Sequence, residues 1–276
     1  MSVRYRWFSQ RRKMKDQPWP STHWRGFAVA AAGLLFVAFA ILDYPVGLMA
    51  RDLSGPIKEY GEFVTHFGQS EWILITCALV FALGMTAAGT ADDGDRRARA
   101  KGVFLAQAAS FVFLAVASSG IVVNLLKGII GRPRPNMLVY HDLSPFAFDP
   151  VSFAGNYSSL PSGHSTTVAV IFTAAAFFLP RHRILFFSLA VCVAMSRIIV
   201  GAHYPSDVIA GLAFGSWFTY LTAIFFSRYR MVFSIDERGW PVPRNCFSAL
   251  RPEFMRKHPH HPAPQTDLDL ETQKGH

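Results

Sequence analysis

Two histidines, one aspartate and three basic residues stand at spacings that suit transfer of a phosphoryl group. His203 and Asp207 are four residues apart, with Pro205 between them at a place that a first helical turn accepts. At a helix start the two share a face, so the carboxylate can orient the imidazole, which is the pairing of a nitrogen nucleophile with its orienter. His164 follows Pro161-Ser162-Gly163, which reads as the beginning of a helix with Ser162 near the N-cap and Gly163 open to close approach of the backbone. Free N–H groups and the helix dipole favour an anion there. An imidazole at that spot is placed to protonate a leaving alkoxide and then to activate water. Lys127, Arg134 and Arg197 complete the set. Two guanidinium forks and one ammonium suit phosphoryl oxygens better than a single carboxylate, and they offset the charge of a phosphoryl-transfer transition state. A cradle of this kind needs no metal and no other cofactor.

The elements that must hold these residues are membrane spans. Of 276 residues, 51% are hydrophobic and 16% charged, and Phe alone contributes 25; that is too apolar for an ordinary soluble domain. A hydrocarbon core of about 30 Å asks for roughly 20 apolar residues per helical crossing. Six runs approach this: 26–42, 72–88, 103–126, 166–179, 184–199 and 208–226. The fourth and fifth are short, which suggests tilted or partly interfacial helices. About 25 polar and basic residues precede the first run, so it is expected to be a retained span rather than a cleaved signal. The expected fold is therefore all-α, a bundle of six transmembrane helices over 26–227, with an N-terminal tail at 1–25 and a largely flexible C-terminal tail at 228–276.

Charge sets the orientation. All Lys and Arg but six fall in both tails and in the loops after the second and fourth runs; the six are Arg51, Lys58, Lys127, Arg132, Arg134 and Arg197. The positive-inside rule then puts both termini in the cytoplasm and the loops with the chemistry on the extracytoplasmic side of a plasma membrane. Basic residues on the disfavoured side ask for a separate reason, and binding an anion supplies one. Lys127 closes the third run, His164 opens the fourth, Arg197 closes the fifth, and His203 with Asp207 opens the sixth, so a bundle brings these ends together. A site at that level meets the headgroup plane, and a membrane lipid phosphate is the expected substrate. The net charge of +9 is spread over short flanks rather than one basic face, which speaks against a nucleic-acid partner.

The segments Lys127-x6-Arg134-Pro135, Pro161-Ser162-Gly163-His164 and Ser196-Arg197-x5-His203-x3-Asp207 resemble the three-part signature of the type 2 phosphatidic acid phosphatase family, with every signature position present. The resemblance implies metal-independent hydrolysis of a phosphomonoester or pyrophosphate. It also implies His203 as nucleophile, Asp207 as its partner, His164 as acid, and Lys127, Arg134, Ser162, Gly163 and Arg197 around the phosphate. The compact size and charge pattern resemble bacterial inner-membrane members with a periplasmic site, which favours lipid A or undecaprenyl pyrophosphate over glycerophospholipids.

Other features carry less. The segment 136–160 brings Phe146, Phe148, Phe153 and Tyr157 among polar residues, placed to cover the site or to anchor at the interface. His258, His260 and His261 lack a carboxylate in register for a metal site. Asp92, Asp93 and Asp95 read as a solvated turn, and Cys77, Cys192 and Cys246 offer no disulfide framework.

Overall fold

The computed structural model describes residues 24–244, apart from 54 and 93. The His258 to His261 cluster, Cys246 and both outer tails lie outside the described residues. The first span begins with α1 (Trp24–Val37), passes through a π-helical segment (Ala38–Leu42) and continues as α2 (Asp43–Asp52). α3 (Pro56–Thr65) and α4 (Ser70–Thr90) follow, then α5 (Arg96–Ile130), α6 (Pro135–His141), α7 (Gly163–Phe178), α8 (Arg183–Ile199) and α9 (Pro205–Arg228). Among the described residues, five helical segments are long and apolar enough to cross a membrane, and Gly163–Phe178 is a sixth, shorter apolar helix. The protein is thus a multi-pass membrane protein, with helices extending past the apolar runs at several ends. α5 runs on both sides of the expected 103–126, because Asp95 Oδ1 caps its start by accepting from Ala98 N at 2.8 Å.

The shortness of α7 goes with an interior position. It packs against α5, α8 and α9, and a continuous stretch of its surface from Ser165 to Val170 is buried. Its close partner is α9, where Gly211 and Gly215 stand four residues apart on one face. A Cβ added at Gly211 would sit 2.5 Å from Ser162 O and 2.9 Å from Ser165 Cβ, so only a residue without a side chain lets α9 approach the first turn of α7 this closely. α4 and α5 meet in the same way through Gly84 and Gly102.

One expectation fails. The sequence predicts a solvated tail after residue 228, yet β1 (Phe233–Ile235) and β2 (Pro241–Pro243) form an antiparallel hairpin. Met231, Val232 and Phe233 are buried in a cluster with Phe111, Phe177 and Phe226. The physical reason is local: the three apolar residues are followed by a turn at Asp236–Gly239, where Gly239 takes positive φ and donates to Asp236 O. A short apolar run fixed by a turn can fold back onto the bundle without helical periodicity.

Candidate active site

Each candidate side chain is set by a helix end. Gly131 adopts a left-handed conformation (φ 59°) and its N–H donates to Lys127 O at 2.9 Å, so α5 stops one turn after Lys127. Ser162 is the N-cap of α7: its Oγ accepts from Ser165 N at 3.4 Å and from Ser165 Oγ at 2.9 Å. Gly163 therefore opens the helix and His164 lies in its first turn. A Cβ on Gly163 would stand 3.5 Å from Lys127 Nζ, which places the ammonium over the start of α7. The Ser162 N–H donates to Asp207 O at 3.0 Å and ties the starts of α7 and α9 together.

Arg134 caps α6 in an extended conformation, and its Nη2 donates to Ser158 Oγ at 3.1 Å. Burial lowers its pKa, with Asp207 acting in the opposite sense. Arg197, in the last turn of α8, donates through Nη1 to Thr65 Oγ1 at 2.7 Å. The Nε atoms of both arginines are buried without a hydrogen-bond partner. His164 lies within reach of the charges on Arg197, His203, Lys127 and Arg134.

His203 sits in the connection from α8 to α9, where Gly201 takes positive φ (73°) and the His203 N–H donates to Arg197 O at 3.3 Å. The residue is 3% exposed. Its pKa is pushed down to about 4, by burial first and by Lys127 and Arg197 as well, against the opposing pull of Asp207. The imidazole is accordingly neutral at neutral pH. Nδ1 stands 3.6 Å from Asp207 Oδ2, beyond hydrogen-bond distance, and is buried without a hydrogen-bond partner.

Asp207 is fully buried and heavily bonded. Oδ2 accepts from Tyr204 N at 2.9 Å and Ser159 Oγ at 2.5 Å, while Oδ1 accepts from Arg132 Nη1 at 2.7 Å. Arg132 is itself fully buried, stacked over the rings of Phe39 and Tyr204 and bonded to Ser206 Oγ, Pro145 O and Asp43 Oδ2. The structure thus brings all eight sequence-derived residues to one end of the bundle. It adds Arg132, Asp43, Ser159, Ser206, Ser158 and Thr65, which the sequence reading did not assign. For Arg132 a signal existed, since it is one of the six basic residues on the disfavoured side.

The segment 136–160 lies against the site. Its backbone is pinned to the end of α5 by Asp149 N donating to Gly131 O (2.7 Å) and Val151 N to Ile129 O (3.2 Å). Phe153 packs on Gly128, and a cavity of about 280 Å³ is lined by Asn124, Lys127, Arg134, Ser152, Phe153 and Ser158. Phe146 and Phe148 point elsewhere, onto Phe39 of the π-helical segment at 4.9 and 6.2 Å between centroids. A larger apolar cavity of about 430 Å³, lined by Trp24, Phe27, Phe177, Trp217, Tyr220 and Trp240, contains none of the candidate residues.

The PAP2 superfamily profile matches residues 108–231, which include every candidate residue. A lipid A 1-phosphatase of Rhizobium johnstonii is 40% identical over 228 residues, covering 83% of this chain and 91% of that protein. Phosphatidylglycerophosphatase B of Bacillus subtilis is 25% identical over 68% of this chain and 85% of its own. Among solved structures, the transmembrane PAP2 type phosphatidylglycerolphosphate phosphatase from Bacillus subtilis aligns with a TM-score of 0.50 at 23% identity, over 74% of this chain and 94% of that one. That likeness concerns the fold.

Proposed function

Since the chain belongs to the PAP2 superfamily and is a membrane lipid phosphatase, we propose that it removes the 1-phosphate of lipid A through a phosphohistidine on His203. The observation that carries the site assignment is the pair of unpartnered guanidinium N–H groups. Arg134 Nε and Arg197 Nε are buried beside a neutral, buried His203. A buried donor without an acceptor costs about 1–3 kcal/mol, and an oxyanion held between the two arginines removes that cost. The similarity to lipid A 1-phosphatases over most of both chains supports the lipid.

In this mechanism the phosphate rests on Lys127, Arg134, Arg197 and the free N–H groups at the start of α7, next to Ser162 and Gly163. His203 Nδ1–H turns toward Asp207, which leaves the Nε2 lone pair to attack phosphorus. The N–P bond forms as the bond from phosphorus to the lipid oxygen breaks, and His164 gives that oxygen a proton. Water then attacks phosphorus while His164 takes its proton, the N–P bond breaks, and inorganic phosphate leaves. Asp207 stabilises the positive charge that the imidazole carries while phosphorylated. The distribution of Lys and Arg supports cytoplasmic termini in the inner membrane and a periplasmic site.

The test is phosphate release by purified, detergent-solubilised protein from a panel of lipid A, undecaprenyl pyrophosphate, phosphatidylglycerol phosphate and phosphatidic acid, with EDTA present. Lipid A is expected to give the highest kcat/KM, with loss of the 1-phosphate seen by mass spectrometry. A higher kcat/KM on any other panel member overturns the lipid assignment.

A further inference from the structure

The first span carries a buried carboxylate, Asp43, that the mechanism above does not use. It is fully buried, and it stands at the first residue of α2, directly after the π-helical turn Ala38–Leu42. Such turns reorient a helix locally and recur at functional sites. Asp43 Oδ2 accepts from Arg132 Nη2 at 2.6 Å and from Ser206 Oγ at 2.5 Å, and Oδ1 accepts from Ser206 N at 3.0 Å. Arg132 reaches from there to Asp207 Oδ1 at 2.7 Å with its other terminal nitrogen. One guanidinium is therefore held between two carboxylates, all three groups fully buried.

Charge explains why two acids are needed. Arg132 alone would neutralise Asp207, and a neutralised Asp207 does little for an imidazole that becomes cationic when phosphorylated. With Asp43 on its far side the trio keeps one net negative charge, and the oxygen of Asp207 not bonded to Arg132 faces His203 Nδ1 at 3.6 Å. Asp43 also fixes the first turn of α9 through the Ser206 N–H, three residues from His203 on one side and adjacent to Asp207 on the other.

We infer that Asp43 is a positioning residue for the phosphatase reaction, which holds Arg132 so that Asp207 remains a full counter-charge to phosphorylated His203. The inference rests on His203 being the nucleophile and Asp207 its partner.

The experiment uses the full-length protein in detergent, with an activated aryl phosphate as substrate and burst amplitude to count active sites. Asp43→Asn is expected to lower kcat per active site at least tenfold with KM within threefold of the unmodified protein. Asp43→Glu, which restores the charge, should be at least threefold faster than Asp43→Asn. The double variant Asp43→Asn/Arg132→Gln, which removes the uncompensated cation, should also exceed Asp43→Asn. A kcat for Asp43→Asn within twofold of the unmodified protein overturns the inference, as does an Asn variant that equals the Glu variant. Where Asp43→Asn yields no folded protein, Asp43→Glu is compared with the double variant, and a double variant at least tenfold slower than Asp43→Glu overturns it, because removing the uncompensated cation should leave Asp207 fully charged. Mapping phosphate on the unmodified protein separates the two readings: label away from His203 defeats the mechanism itself, whatever the Asp43 variants do.

Discussion

Replacing Arg197 by Lys tests the phosphate cradle most directly, because it keeps the charge and removes the fork. Arg197 Nη1 is committed to Thr65 Oγ1 at 2.7 Å, and Nε is buried without a partner. A lysine ammonium reaching the same hydroxyl has no planar second donor at a fixed angle to offer the phosphate. The loss is one charge-assisted hydrogen bond to phosphate, about 1.5–3 kcal/mol, or roughly 10- to 150-fold in kcat/KM. Because the phosphate is more negative at its equatorial oxygens in the transition state, kcat should carry most of the loss. The assay is initial-rate phosphate release from lipid A in mixed micelles, with KM and kcat resolved and folding checked by gel filtration. A kcat/KM within threefold of the unmodified protein would refute the reasoning and leave Arg197 as a structural tie to α3.

The remaining perturbations separate the other roles. His203→Ala should abolish turnover of any phosphoester, whereas His164→Ala should accumulate phosphohistidine from an activated aryl phosphate; intact mass under alkaline conditions reads the difference, and phosphate on the His203→Ala protein would exchange the two roles. A His203 pKa near 4 in place of 6.5 means that the nucleophile stays roughly nine-tenths neutral at pH 5. Activity should therefore fall as pH drops through about 4, after correction for the second ionisation of the substrate phosphate; a midpoint at 6.5 in the corrected profile contradicts the buried environment. Gly211→Val puts carbon against Ser162 O and Ser165 Cβ, so it should lower thermal stability by about 1–3 kcal/mol and reduce kcat by separating His164 from His203. Reporters fused near Asp149 should behave as periplasmic and those in the loop at Asp92 to Lys101 as cytoplasmic; the reverse pattern moves the site to the other face.

The spans and the site were legible in the sequence for different reasons. Spans show because the bilayer imposes a length of apolar residues on each crossing, and Phe-rich runs meet it. The site showed because its residues are bound by short-range rules. Ser162 with His164, and His203 with Asp207, each fit within one turn, and Lys127 and Arg134 flank a single helix end. The hairpin after α9 did not show, since a strand of three residues has no period to read and its burial depends on Phe111 and Phe177 from distant helices. Helix overhangs such as the start of α5 were also missed, because the capping aspartate lies in a run that reads as a polar turn.

Asp43 marks where such reading stops. A lone Asp at the end of an apolar run is an ordinary boundary residue, and nothing within one turn of it names a partner. Its partner Arg132 lies 89 positions away and the next group, Ser206, 163 positions away. Arg132 in turn reads as one more cation beside Arg134, although one of the two is sealed between carboxylates and the other keeps a buried donor open. Residue type and spacing are the same for both; only burial and the carboxylates around it tell the structural arginine from the one left able to meet a phosphate. The signature is thus local in sequence, whereas the carboxylate that holds Arg132 comes from the first span, 89 positions away.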